Sequence, residues 1–270
     1  MHKKNYQTEM GTICYWCNDW KPGRSTLVFL PGLTADHHLF DRQIRFFESE
    51  YNILVWDAPG HGSSRPFRLH FSLMDKACWL HEILEKEGVN RSVLIGQSMG
   101  GYVAQCYLEQ FPGTVSGFLS IDSAPLKRPY ITKAELWLLK KAGFMYRCYP
   151  WKRLRIDGPR GCSETRYGQR LMRYFMASYT KEEYCRLAGW GFRILAEAIE
   201  ADLPYQIDCP VCLVCGEKDK AGSAKRYNKK WAETEGIRII WIKHAGHNSN
   251  TDNPDRVNKI IQRCVRNWTK

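Results

Sequence analysis

SVLIGQSMGGYVAQCYLEQ, residues 92–110, changes character midway. Ser92 to Ile95 is a short apolar run with the length and β-branched content of a buried strand, and Met99 to Gln110 carries helical periodicity. Between them stands Gly96-Gln97-Ser98-Met99-Gly100. A serine on a tight strand-to-helix turn needs small residues two before and two after it, because side chains there would collide with neighbouring backbone. Gly96 and Gly100 meet that need, which makes Ser98 a candidate nucleophile at the carboxyl end of a strand.

The same alternation extends in both directions. Strand-like runs appear at GTICYWC, STLVFL, NILVW, SVLIG, VSGFLSI, VCLVCG and IRIIWI. Helical periodicity covers Leu39 to Phe47, Ser72 to Glu87, Met99 to Gln110, Ala224 to Glu233 and Pro254 to Trp268. Ser72 and Asp75 form a capping box at the start of one helix, and Gly88 stops it. Strands alternating with helices predict an α/β fold with a mainly parallel sheet covered on both faces. Residues 126–200 interrupt the alternation with helical patterns and no strand run. Ligands of open α/β sheets bind outside the carboxyl strand ends, so this segment is expected to form a helical cap, or lid, over a core of residues 1–125 and 201–270.

A serine hydroxyl is a weak nucleophile until a base takes its proton, and the base needs an acid to hold its tautomer. Gly216-Glu217-Lys218-Asp219 follows the strand run VCLVC, and His244-Ala245-Gly246-His247 follows IRIIWI. Ser98, Asp219 and His247 therefore fall in that order at three carboxyl strand ends, the chain order of the α/β-hydrolase triad. Asp122, ending an earlier strand run, is the rival acid. His244 is the rival base, read as packing structurally.

These motifs resemble the α/β-hydrolase superfamily in its branch with a helical cap, from about Gly11 to Trp268. They stand here as LPGL at 30–33, DAPGHGSS at 57–64, GQSMGG at 96–101, GEKD at 216–219 and HAGH at 244–247. The resemblance implies an eight-stranded sheet, with Ser98 attacking an acyl carbon, His247 moving the proton and Asp219 orienting the imidazole. It also implies an oxyanion hole from the backbone N–H groups of Leu33 and Met99. Many relatives carry His-Gly where this chain has Pro31-Gly32, but the donor is the following amide. Asp57 and His61 belong to what is a structural loop in the family. His37 and His38, close after Leu33, either line the pocket mouth or form a helix turn.

The implied activity is a cofactor-independent serine hydrolase acting on a carboxylic ester, thioester or lactone through an acyl-serine intermediate, with no metal. Serine at the elbow argues against haloalkane dehalogenases and epoxide hydrolases, which use aspartate there. Two alternatives stay open: a lyase of the menaquinone-biosynthesis type, whose anionic substrate would meet cap arginines such as Arg128, Arg166 or Arg170, and a slow-turnover ligand-binding member of the fold.

Composition narrows the partners. The 270 residues are 44% apolar and 25% charged, an ordinary globular mix that excludes a disordered or fibrous chain. Net charge is +12, and residues 126–200 hold sixteen Lys and Arg against seven acids, so most of the excess sits in one segment. A small-molecule substrate, anionic or lipid-like, is expected. No nucleic-acid-binding pattern is present. No run approaches the roughly 18 apolar residues of a membrane span, so no stable insertion is expected, and the amino-terminal residues lack a secretory signal, which predicts a cytoplasmic protein. The eleven cysteines, odd in number, are expected to be reduced. Cys14 with Cys17, and Cys209, Cys212 and Cys215, lie in or beside strand runs, where successive thiols three apart face opposite ways and suit a core better than zinc. The aromatic residues Trp137, Tyr146, Trp151 and Tyr174 are read as helix packing with a solvated face.

Overall fold

All seven apolar runs are strands in a computed structural model that describes residues 1–269. They are β2 (Gly11–Cys17), β3 (Thr26–Leu30), β4 (Asn52–Trp56), β5 (Ser92–Gln97), β6 (Val115–Ile121), β7 (Val211–Gly216) and β8 (Arg238–Ile242). An eighth, β1 (His2–Thr8), lies at the edge with a mostly exposed, polar sequence. Sheet order is β1-β2-β4-β3-β5-β6-β7-β8; β2 pairs antiparallel with both β1 and β4, and all other pairings are parallel.

Every residue of β3, β4 and β5 is buried, as a parallel sheet covered on both faces requires. One face carries α2 (Leu73–Lys86), α3 (Met99–Gln110) and α8 (Ala224–Glu235), with Trp56, Leu80, Val103 and Trp231 in its core. The other carries α1 (Asp41–Phe47) and α10 (Pro254–Trp268), with Phe29, Phe47, Ile95 and Ile261. The expected helix from Leu39 is split: His37–Phe40 is a 3-10 turn capped by Asp36, and α1 starts at Asp41. The Ser72–Asp75 capping box is formed. All eleven cysteines are free, with Cys14, Cys17, Cys212 and Cys215 buried in their strands.

Between β6 and β7 the chain forms only helices: a 3-10 turn, then α4 (Lys133–Cys148), α5 (Trp151–Cys162), α6 (Arg166–Ala177) and α7 (Lys181–Glu200). Leu154, Met176, Tyr179, Tyr184, Leu187 and Ala188 give them a core of their own. Tyr146 and Trp151 pack on Tyr184 as expected, at 6.0 and 5.4 Å between ring centroids. Trp137 and Tyr174 do not: they are 59% and 53% exposed. Tyr174 meets the edge of the His38 ring, at 5.5 Å between centroids, and Trp137 meets the Lys141 ammonium. Short α9 (Ser249–Asp252) precedes α10, and no helix among the described residues is long and apolar enough to cross a membrane.

Order reverses between β3 and β5: the chain leaves β3 for β4 on one side and returns to β5 on the other. Leu30 lies in register with Gly96, so the loops after these strands emerge side by side. Their closeness depends on glycine. A methyl group on Gly100 would overlap the Leu30 carbonyl, and one on Gly96 would lie 2.5 Å from the Gly100 carbonyl carbon. Gly100→Ala is therefore expected to lower the free energy of unfolding by about 1–3 kcal/mol through overpacking, measured as a lower denaturant midpoint at unchanged slope.

Candidate active site

Ser98 closes the turn from β5 into α3 with φ +50° and ψ −115°, a strained conformation for a residue with a side chain. Two backbone hydrogen bonds hold it: Ser98 N–H donates to the Ile121 carbonyl and Gly101 N–H to the Ser98 carbonyl, each at 2.9 Å. The strained turn lifts Oγ clear of α3, and Ser98 keeps partial exposure while its neighbours Gln97 and Met99 are buried.

Three strand ends converge on that hydroxyl. His247 Nε2 lies 2.8 Å from Ser98 Oγ, and its Nδ1 lies 3.0 Å from Asp219 Oδ2. A carboxylate can only accept, so Nδ1 carries the proton and Nε2 is left to accept from the serine. Burial opposes a charge on His247, but the charge and hydrogen bond of Asp219, with the charge of Asp122, outweigh it and raise the imidazole pKa above its ordinary value. Leu33 and Met99, the expected oxyanion donors, flank the serine. A methyl on Gly32 would come 3.1 Å from Ser98 Cβ, and among the described residues neither amide donates to another group of the chain.

The rival residues have other work. Asp122 makes no bond to His247; its carboxylate accepts from the backbone N–H groups of Gly216 and Ser249, both at 2.7 Å, and so ties the acid loop to the histidine loop. Burial, then repulsion from Asp219, pushes its pKa up to about 7. His244, expected to pack, is instead exposed at a positive-φ turn after β8; the turn needed to bring the chain back toward the sheet aims its side chain at solvent. Asp57 accepts from the backbone of His37 and Ser63, and His61 bonds the Pro59 carbonyl. Burial, with the Lys76 ammonium adding to it, holds His61 down at about 3, so the ring stays neutral within the loop. His37 joins that loop through Asp57 Oδ1 at 2.8 Å, and His38 caps back onto Asp36.

Two positioning residues were not foreseen. Buried Gln97 donates from Nε2 to the His247 carbonyl at 2.8 Å and to Asn248 Oδ1 at 3.1 Å, bracing the histidine loop against the elbow. Asp252 accepts from Gly246 N–H on one side, and from Ser163 Oγ, Glu164 N–H, Thr165 N–H and Thr165 Oγ1 on the other. Nothing in the sequence marks either, since a lone Gln or Asp declares its partners only in three dimensions. Above the site, a methyl on Gly191 of α7 would overlap Leu33 Cδ1, so that helix rests directly on the loop after β3.

A sequence profile described as the alpha/beta hydrolase family matches residues 27–260. The chain belongs to the alpha/beta hydrolase family. Among curated relatives, monoacylglycerol lipase abhd6-B of Xenopus laevis is 31% identical over 137 residues, 48% of this chain and 40% of that protein. The chain thus spans well under two thirds of that relative's length. Among solved structures, a thermophilic esterase from Thermogutta terrifontis superposes with a TM-score of 0.81 at 17% identity over the whole of both chains. An enol-lactonase from Burkholderia xenovorans LB400 gives 0.75 at 18% identity, over 97% of this chain and 100% of the other. At these identities the likeness is one of fold.

In this alpha/beta hydrolase, histidine NMR is expected to show the His247 ring titrating with a midpoint above 6.5. Asp219→Asn removes the charge that favours the imidazolium, so its midpoint should fall. An unmoved midpoint in that variant would break the pairing of the two residues.

Proposed function

We propose that this alpha/beta hydrolase cleaves a carboxylic ester, thioester or lactone of a small molecule through an acyl-serine intermediate, with residues 126–200 acting as a cap over the site. The observation that carries this reading is the chain of contacts from Ser98 Oγ to His247 Nε2 at 2.8 Å and from His247 Nδ1 to Asp219 Oδ2 at 3.0 Å. It stands beside two amides with no partner among the described residues.

In this reading Ser98 Oγ attacks the acyl carbon while His247 Nε2 takes its proton. Negative charge collects on the former carbonyl oxygen, where the Leu33 and Met99 N–H groups would donate to it; one such donor is typically worth about 10²–10³ in rate. Collapse expels the alcohol, thiol or ring oxygen, which receives the proton from His247. A water molecule then repeats the sequence on the acyl-serine, returning Ser98 to its hydroxyl form. Asp219 holds the Nδ1–H tautomer throughout and stabilises the transient imidazolium.

The cap arginines favour hydrolysis over a lyase reaction on an anionic substrate. Arg166 and Arg170 are exposed on α6, and the Arg128 guanidinium bonds the Ile131 carbonyl close by in its own loop. A site built for a multiply anionic substrate would turn such groups inward.

Treatment with a fluorophosphonate, followed by intact-mass analysis, is expected to give one adduct on Ser98 that is absent from Ser98→Ala. The same variant should lose ester hydrolysis by about 10⁴-fold or more. Because the base works only when neutral, and its pKa is raised, kcat/KM should be full at alkaline pH and fall through a midpoint above 6.5 as pH drops. An adduct away from Ser98, or a rate flat across the imidazole range, sinks the assignment.

A further inference from the structure

Helix α4 is packed on one side only. Leu136 and Ala142 are buried, and the helix crosses α7 so closely that a methyl on Gly143 would come 3.0 Å from Gly189 Cα. The opposite face carries Trp137, Lys141, Phe144, Met145 and Cys148, at steps of four, three, one and three residues that keep them in one stripe. Trp137, Phe144 and Met145 are 59%, 64% and 55% exposed. Leu138, Tyr149 and Ile156 are exposed as well, so six of the nine exposed large apolar side chains among the described residues fall within residues 137–156. Scattered exposed apolar residues need no explanation, but a cluster of this kind marks a surface that something covers.

The same stretch of chain is basic. Lys133, Lys141, Arg147, Lys152, Arg153 and Arg155 are all exposed, and none forms an ion pair among the described residues. Lys141 lies 6.0 Å over the Trp137 ring, which keeps its long stem along the apolar stripe and its charge at the rim. Two acids stand in the same stretch, and both are engaged: Glu135 with Thr132, Ser223 and Arg226, and Asp157 with the Tyr149 hydroxyl.

We infer that this face of α4 and α5 docks on an anionic lipid surface, its aromatic and aliphatic tips entering the headgroup region and its cations resting on the phosphates. Charge complementarity selects that occupant. A second copy would bring like charges together. Nucleic acid would match the charge but would leave Leu138, Met145 and Ile156 against a polyanion, where aliphatic tips have no base to stack on. A plane of anionic headgroups over acyl chains satisfies both halves of the pattern. The inference is independent of the ester chemistry proposed above.

The test is flotation with unilamellar vesicles of phosphatidylcholine alone and of phosphatidylcholine enriched in phosphatidylserine, using the full chain. Wild type and Ser98→Ala should float equally with the serine-lipid vesicles, remain behind with phosphatidylcholine alone, and be released by high salt. The double variant Trp137→Ser/Phe144→Ser should bind at least tenfold more weakly, as should Lys141→Glu/Arg147→Glu. Both variants are expected to keep the wild-type melting temperature, since their side chains pack on little. Failure of wild type to float on the anionic vesicles, or flotation untouched in both variants, overturns the inference. So does a lipid-free dimer abolished by Trp137→Ser/Phe144→Ser, or preferential capture by duplex DNA or RNA in competition with the vesicles. Loss of flotation in Ser98→Ala alone would mean that binding goes through the active site and overturns it as well.

Discussion

Close backbone approach at the elbow is the constraint on which the rest of the structure depends. Ser98 sits at φ +50° because β5 must turn into α3 without a spacer, and that turn is possible only where Gly96, Gly100 and Gly101 let backbones touch. Side chains there would collide with the Leu30 carbonyl or with Ser123. Once the turn is fixed, the position of the serine Cβ follows from the sheet, and the contact with His247 Nε2 at 2.8 Å sets the direction of Oγ. The strain is local, and the buried strands β3 to β6 around it supply the rigidity that maintains it.

The other two members of the constellation are held by polar atoms that do no chemistry of their own. Asp122 accepts from the N–H of Gly216, where β7 ends and the acid loop begins, and from the N–H of Ser249 beyond the histidine. Gln97 fixes the His247 backbone from beneath. The nearby carboxylates also set the charge state, since burial alone would keep the imidazole neutral and Asp219 with Asp122 tilt it toward the proton.

Legibility in the sequence followed the strength of local patterns. The buried strands announced themselves as apolar runs, and the glycine spacing around Ser98 made the elbow readable, because both are short-range demands on residue type. β1 escaped: His2–Thr8 is polar on both faces, as suits an exposed sheet edge that must not pair with other chains. The choice of Asp219 over Asp122 could be argued from loop position alone, whereas which carboxylate reaches His247, that of Asp219, is visible only in three dimensions. The outward Trp137 and the exposed His244 were misread because periodicity reports that a face exists and not what covers it. Gln97 and Asp252 were invisible because their partners lie far away in the chain.

Asp252 joins two parts of the molecule that the chain keeps well apart. One carboxylate accepts from Ser163, Glu164 and Thr165, at the root of α6, and from Gly246, one residue before His247. Asn248 N–H reinforces the junction by bonding the Cys162 carbonyl at 2.9 Å. Asp252 Oδ2 accepts from both sides, Glu164 N–H and Gly246 N–H, while Oδ1 serves the α6 root alone. Any coupling carried by this junction is reciprocal by thermodynamic necessity: a contact that steadies the histidine loop through Asp252 steadies the start of α6 to the same extent. The root of α6 and the loop that carries His247 thus share one anchor, the Asp252 carboxylate.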